Sequence, residues 1–579
     1  MHSTPTADRH TVEVESRIVG YRRAGRGAPV AVLGALDRSA LSTRALAEVL
    51  RARNTVLALD PPGYGASDPL DPGAGVETIA DWLTAALDVL APEGCPLVGV
   101  GSGGLVAIEL ARRDGRTPVI LDDVPVLDAA TRARVAAGYA PPNPIRADGT
   151  HVLAHWAMRR AEQLWFPWFD QTPEAALDRE LAIDDLHHAV MDAVARGDRW
   201  AEPYDAMWRY AASDGDLDVT EVRALAPSSP RFGTPPGELV PAGPDPAERC
   251  AVIADEVARV ASGPLPPAAT APQRAGRWTR VFAVTPWGQV AVRRHDPAGA
   301  PTSRPLVALH ASPLAGASLL ALARGLVGGR TVLLPDTLGN GDSPAPDPSA
   351  HPEFRRPGVE HFAAALLAAL SDLGVDEFDL YGTHSGAVIA AETALLAPGR
   401  VVNLVLNGVP ILDAPPTGSI DEYLVDLTPT GDATHLQRGW SNIVDVLTWY
   451  PWHARDPAHR RAVAMPDAAV LHARYAQFAA GTAGYALPFR AVHVHPTRER
   501  LAKLSTRTLL CHVPADPLAP TLAEAAAAID GSDVVEVSAD PAAQAAVIDR
   551  WLAADRSPRA PGARSSPTRA GTTYEMSMR

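Results

Sequence analysis

The stretch Asp379–Glu392, DLYGTHSGAVIAAE, places His384 at the centre of a tight turn between Gly382 and Gly386. The residues before it read as a short apolar strand, and the Ala-rich run after it as a helix. A side chain at such a bend stands at a helix N-terminus, beside backbone N–H groups that the helix leaves unused. An imidazole there can take a proton from water or from an acidic C–H, an effect worth about 10²–10⁴ in rate. It can also attack directly and pass through a labile acyl-imidazole. The base role is favoured, because no second imidazole has an assured place beside the first. The positive end of the helix favours the neutral ring.

The elements that must position this turn occur twice. Residues 30–67 and 306–343 align without a gap, Asp60 on Asp336 and Ser67 on Ser343. LVGVGSGGLVAIE then matches LYGTHSGAVIAAE, and VILDDVPVLDA matches LVLNGVPILDA. The middle sections also pair, with His151 on His435, Trp156 on Trp440 and Trp168 on Trp452. So many signals in one shared order indicate a tandem duplication. Each copy alternates short β-branched runs with amphipathic helical stretches, which predicts an α/β fold with a mainly parallel sheet flanked by helices. The Trp-rich middle of each copy reads as a helical insertion over the sheet. The boundaries fall at 11–262 for the first domain (insertion about 129–222) and 277–555 for the second (insertion about 414–500). A Pro/Ala-rich linker spans 263–276, and a Pro/Ser/Arg-rich tail, 556–579, is expected to be disordered.

The second copy resembles the alpha/beta-hydrolase superfamily over nearly all of 277–555. The matching pieces are LVALHASP, the turn DTLGNGDS, the elbow Gly382-Thr383-His384-Ser385-Gly386, and TLLCHVPADP. The resemblance implies two tandem alpha/beta-hydrolase-like domains with helical caps. It places His384 at the nucleophile position and Asp516 at the acid position. It makes the backbone amides of Ser385 and Ser312 the oxyanion hole, donors worth about 10²–10³ in rate apiece. This sequence departs from the family pattern twice. The elbow G-x-S-x-G has become G-x-H-x-G, and the loop after the last strand, SAD at 538–540, lacks the usual base histidine. The elbow demands small residues two positions either side, which favours His384 as its centre; a shifted register would centre Ser385. The first copy has Gly101 at the elbow, Ser102 opposite Ser385, and no equivalent of Asp516. It reads as a non-catalytic copy that packs against or covers the second.

Other residues are assigned lesser roles. His435 lies where the insertion could lower it onto the elbow, though its counterpart His151 faces a copy without chemistry, which favours a structural job. Trp440 is read as a residue of the same cap, and His310 as support behind the oxyanion loop. His493 and His495 have i, i+2 spacing without a clear acidic or Cys partner, so no metal is expected. At helical spacing, most insertion Trp residues form that insertion's own core, and a minority facing the elbow would line an apolar pocket.

Composition narrows the class. The 579 residues exceed one ordinary core. A net charge of −15 argues against a nucleic-acid partner. No apolar run is long enough to span a bilayer, and the start MHSTPTADRH lacks a signal-like apolar core. Cys95, Cys250 and Cys511 are odd in number and far apart, which fits free thiols in a reducing cytoplasm. Arginine dominates over lysine, as GC-rich bacterial genomes encode. The expectation is a cofactor-free enzyme acting on an ester or related acyl bond of a small apolar molecule, with the two halves packed together and an oligomer open. The alternatives are a silent pseudo-hydrolase that binds an apolar ligand or a partner protein, and lyase- or isomerase-type proton abstraction in the same pocket.

Overall fold

The computed structural model describes residues 8–116, 118–211, 221–267, 275–412 and 420–554. The middle of the linker and the tail at 556–579 lie outside the described residues. In the first half the strands are β1 (Asp8–Val14), β2 (Arg17–Ala24), β3 (Pro29–Leu33), β4 (Thr55–Leu59), β5 (Leu97–Val100), β6 (Val119–Asp122), β7 (Val222–Leu225) and β8 (Glu238–Val240). In the second they are β9 (Trp278–Thr285), β10 (Gly288–His295), β11 (Leu306–Leu309), β12 (Val332–Pro335), β13 (Phe378–Thr383), β14 (Val401–Asn407), β15 (Arg507–His512) and β16 (Asp533–Glu536).

The sheets repeat one topology, β1-β2-β4-β3-β5-β6-β7-β8 and β9-β10-β12-β11-β13-β14-β15-β16. Each opens with an antiparallel hairpin and continues parallel from its third strand onward, so the sheets are mixed rather than wholly parallel. The parallel strands are continuous apolar runs such as Val30-Ala31-Val32-Leu33 and Leu306-Val307-Ala308-Leu309, buried at every residue because helices cover both faces. The elbow helix Ser385–Leu396 is itself walled in, with residues 385–394 all buried. Its alanines let the helix Val359–Asp372 and the cap helix Ala486–His493 approach closely.

Between β6 and β7, and again between β14 and β15, the chain forms the helical caps. Thr150–Leu164 and Ile183–Arg196 in the first cap correspond to Thr434–Thr448 and Ala468–Ala480 in the second. The four pack into one apolar core shared by both halves, containing Val152, Trp156, Leu186, Leu436, Trp440 and Tyr475. Two histidine pairs cross this core. His151 Nε2 lies 2.9 Å from His472 Nδ1, and His187 Nδ1 lies 3.1 Å from His435 Nε2. His151 aligns with His435 and His187 with His472, so the pairs are related by a pseudo-two-fold. The halves meet again at their outer hairpins, where the Arg9 amide donates to Gln289 Oε1 and Gln289 Nε2 returns a bond to the Arg9 carbonyl. Among the described residues no helix is long and apolar enough to cross a membrane.

Candidate active site

The bend after β13 centres on His384, with φ 51° and ψ −120°. That region costs a non-glycine residue about 1–3 kcal/mol, so its neighbours must leave it room. A Cβ on Gly382 would stand 2.4 Å from the Gly386 carbonyl oxygen. One on Gly386 would stand 2.4 Å from the His310 carbonyl oxygen. Both flanks therefore have to be glycine, and the imidazole rather than the Ser385 hydroxyl occupies the apex. The ring is not turned into the interior; its side chain is 39% exposed.

His384 Nε2 lies 2.7 Å from Asp516 Oδ2, and Asp516 Oδ1 accepts the Leu518 amide. Burial pushes the Asp516 carboxyl up, but the bond to His384 and that ring's charge outweigh it and leave the group below the usual carboxylate range. With Nε2–H given to the carboxylate, Nδ1 carries the lone pair, and it makes no hydrogen bond among the described residues. Gly408, at the end of β14, leaves the seat for the ring. A Cβ there would lie 2.8 Å from His384 Cδ2 and 3.0 Å from Nε2.

The oxyanion loop, 310–313, follows β11. His310 is buried, donates Nδ1–H to the Ala311 carbonyl and accepts the Thr337 amide at Nε2, which fixes its neutral tautomer. It supports the loop from behind. The Ser312 amide is not open to a ligand, because it donates to Ser385 Oγ at 2.7 Å. The first half repeats this bond, from the Leu36 amide to Ser102 Oγ at 2.9 Å. The two open amides expected from the resemblance are thus not both found, since that of Ser312 is already engaged.

His435 and Trp440 stand apart from this centre, in the core shared by the caps. His435 Nδ1 accepts the Thr430 amide, and its ring meets Trp156 edge-on. Trp440 packs on His151 and Tyr475. A hollow of about 560 Å³ on the cap is lined by Leu424, Thr434, Arg438 and Asp445 among others, and no elbow residue borders it. Among the described residues no group of three His, Cys, Asp or Glu could hold a metal ion.

In the first half the elbow is Gly101, φ 57°. The residue aligned with Gly408 is Asp123, φ 49°, whose carboxylate accepts from the Ser228 amide and hydroxyl and pairs with Arg179 and Arg249. The two copies have exchanged side chain for vacancy: His384 with Gly408 in one, Gly101 with Asp123 in the other. The signal lay in the pair LDDVP and LNGVP, whose glycine has meaning only once the imidazole is seen to need its space. The buried Arg159 ties Asp37, in the loop after β3, to Glu162 and Tyr204 of the cap.

Residues 304–434 match the family model described as alpha/beta hydrolase fold. The chain has the alpha/beta-hydrolase fold. Similar solved structures include a hydrolase from Pseudomonas aeruginosa, 21% identical over 48% of this chain and 100% of that one, TM-score 0.36. A thermophilic esterase from Thermogutta terrifontis is 19% identical over 48% and 98%, TM-score 0.36. An enol-lactonase from Burkholderia xenovorans is 17% identical over 47% and 96%, TM-score 0.36. Comparison with curated proteins gives no match. Each of these three covers about half of the chain.

Proposed function

We propose that the second half hydrolyses an ester or related acyl bond of a small apolar molecule, with His384 as general base, and that the first half is a non-catalytic copy. The observation that carries this is the 2.7 Å contact between His384 Nε2 and Asp516 at a strained elbow, with Nδ1 unengaged. In this reading Nδ1 takes a proton from water, and the resulting hydroxide attacks the acyl carbon. The Ser385 N–H faces the oxygen on which charge develops. The tetrahedral intermediate then collapses, and the leaving oxygen departs with the proton held at Nδ1. Asp516 stabilises the transient imidazolium and fixes which nitrogen does the work.

A second reading has one observation in its favour. The Ser312 amide is occupied in the same way in the silent first half, as expected of a retired site that only binds a ligand. Gly408→Ala tests the catalytic reading, because the new methyl must push the ring off Asp516. Turnover of p-nitrophenyl butyrate is expected to fall about 10²-fold, the scale of a 1 Å misplacement. Gly408→Asp, which imports the first half's residue, should abolish it. Unchanged kcat/KM in both variants would refute His384 as the base.

A further inference from the structure

The internal duplication supplies a control for the space above the elbow. In the first half, five aromatic cap positions, Tyr139, Trp168, Phe169, Tyr204 and Trp208, pack tightly; Tyr139 lies 5.2 Å from Tyr204 and 5.1 Å from Trp208 between ring centres. Tyr204 donates its hydroxyl to Asp37 on the oxyanion loop at 2.8 Å, so this aromatic layer lies directly over that loop. Arg159 and Glu162 fill what remains, and Arg159 is 0% exposed.

The aligned second-half positions keep the rings and lose the filling. Tyr423, Trp452, His453, Phe489 and His493 form a continuous array. Tyr423 stacks on His453 with centroids 3.8 Å apart, and Trp452 meets His453 and Phe489 edge-on at 5.2 and 5.3 Å. Phe489 stacks on His493 at 4.4 Å. The ionic partners Asp37, Arg159 and Glu162 become Pro313, Ile443 and Val446, none of which can bridge cap and loop by charge. The burial changes with them. Tyr139, Tyr204 and Trp208 are buried, whereas Tyr423, Phe489 and His493 are only half-buried. Phe166, 6% exposed, is replaced by Tyr450, 43% exposed.

We infer that this open aromatic array is the binding wall for a planar aromatic ring, and that the substrates of the second half are aryl-bearing esters or acyl compounds. The inference rests on the hydrolytic reading for the word substrate, but the wall itself is independent of it. Aromatic side chains arranged edge-to-face and stacked offer both ring faces and ring edges, which an aromatic ligand meets with complementary quadrupoles and a saturated ring does not.

The experiment compares binding of benzyl alcohol and cyclohexylmethanol, matched in size and polarity, by calorimetry on the full chain. Benzyl alcohol is expected to bind about 2- to 10-fold more tightly, the worth of one aromatic pair. Phe489→Leu should equalise the two. Equal affinity in the wild type, or binding of neither alcohol, overturns the inference. Binding of benzyl alcohol by a chain that hydrolyses no phenylacetate or butyrate p-nitrophenyl ester would leave the wall standing and remove the hydrolytic reading instead.

Discussion

His384→Gly is expected to lose about 10²–10⁴ in turnover of p-nitrophenyl butyrate and yet to fold more stably than His384→Ala. Both variants remove the ring and its bond to Asp516, and both let water reach that carboxylate, so those effects cancel between them. The difference is the backbone. At φ 51° and ψ −120° an alanine keeps strain of about 1–3 kcal/mol, whereas glycine occupies the region freely. Glycine gives back about 0.5–1 kcal/mol through the larger entropy of its unfolded chain. The balance favours glycine by about 1 kcal/mol, a shift of a few degrees in melting temperature readable by calorimetry. The first half supplies a natural precedent, since Gly101 holds the same bend without an imidazole. Strain retained for a ring that does nothing would be hard to explain, whereas strain retained to aim a base is common at functional sites. A His384→Gly variant with wild-type turnover would end the catalytic reading. One no more stable than His384→Ala would show that the elbow is relaxed.

Much of this was legible in the sequence, for identifiable reasons. The sheets follow from apolar runs buried on both faces, and the elbow from two glycines whose spacing has a steric cause. Asp516 came through resemblance alone; nothing in TLLCHVPADP says which carboxylate faces a residue 132 positions earlier. The state of the loop amides was not legible. Backbone amides are invisible to sequence, and whether the Ser312 amide is open depends on where Ser385 Oγ points. The cap histidines show the other limit. His435 could be placed near the elbow by sequence order, but its position depends on packing between caps, and the alignment of His151 with His435 does not say that each bonds the other's neighbour. Asp123 and Gly408 fall opposite one another in the two copies, but an exchange of side chain for vacancy has meaning only in three dimensions.

The cap-to-cap core is expected to fail in mild acid, through the two histidine pairs. Their tautomers are dictated by their surroundings. His472 Nε2–H donates to the Val194 carbonyl, so its Nδ1 must accept from His151 Nε2–H, and His151 Nδ1 in turn accepts the Arg146 amide. His435 Nδ1 accepts the Thr430 amide, so its Nε2–H donates to His187 Nδ1. In the first pair both Nδ1 atoms are acceptors already in use, and the same holds for His435 Nδ1 and His187 Nδ1 in the second. A further proton on any of the four rings must therefore break a bond. Burial, followed by the neighbouring ring, brings His151 down to about 4 and His187 to about 3; burial brings His435 to about 4 and lowers His472 as well. Asp148, Asp198 and Arg146 face the first pair, His188 faces His187, and Asp426, Asp432 and Arg438 face His435. The nearby carboxylates raise these rings without reversing the shift. Because the unfolded rings titrate near 6.5, the unfolded chain binds protons between about 6.5 and 4 that the folded chain refuses. Stability is therefore full above the upper value, falls as pH drops through that window, and levels off only below about 3, once His187 too has taken its proton. Each ring held near 4 accounts for on the order of 3 kcal/mol of this loss. Urea titrations at pH 7.0, 5.5 and 4.5 should show it. The double variant His187→Gln with His435→Gln, neutral at every pH and still able to hydrogen-bond, should lose markedly less stability over the same range. Carboxylates elsewhere contribute equally to both proteins, so parallel losses in wild type and variant would mean that these rings do not hold the halves together.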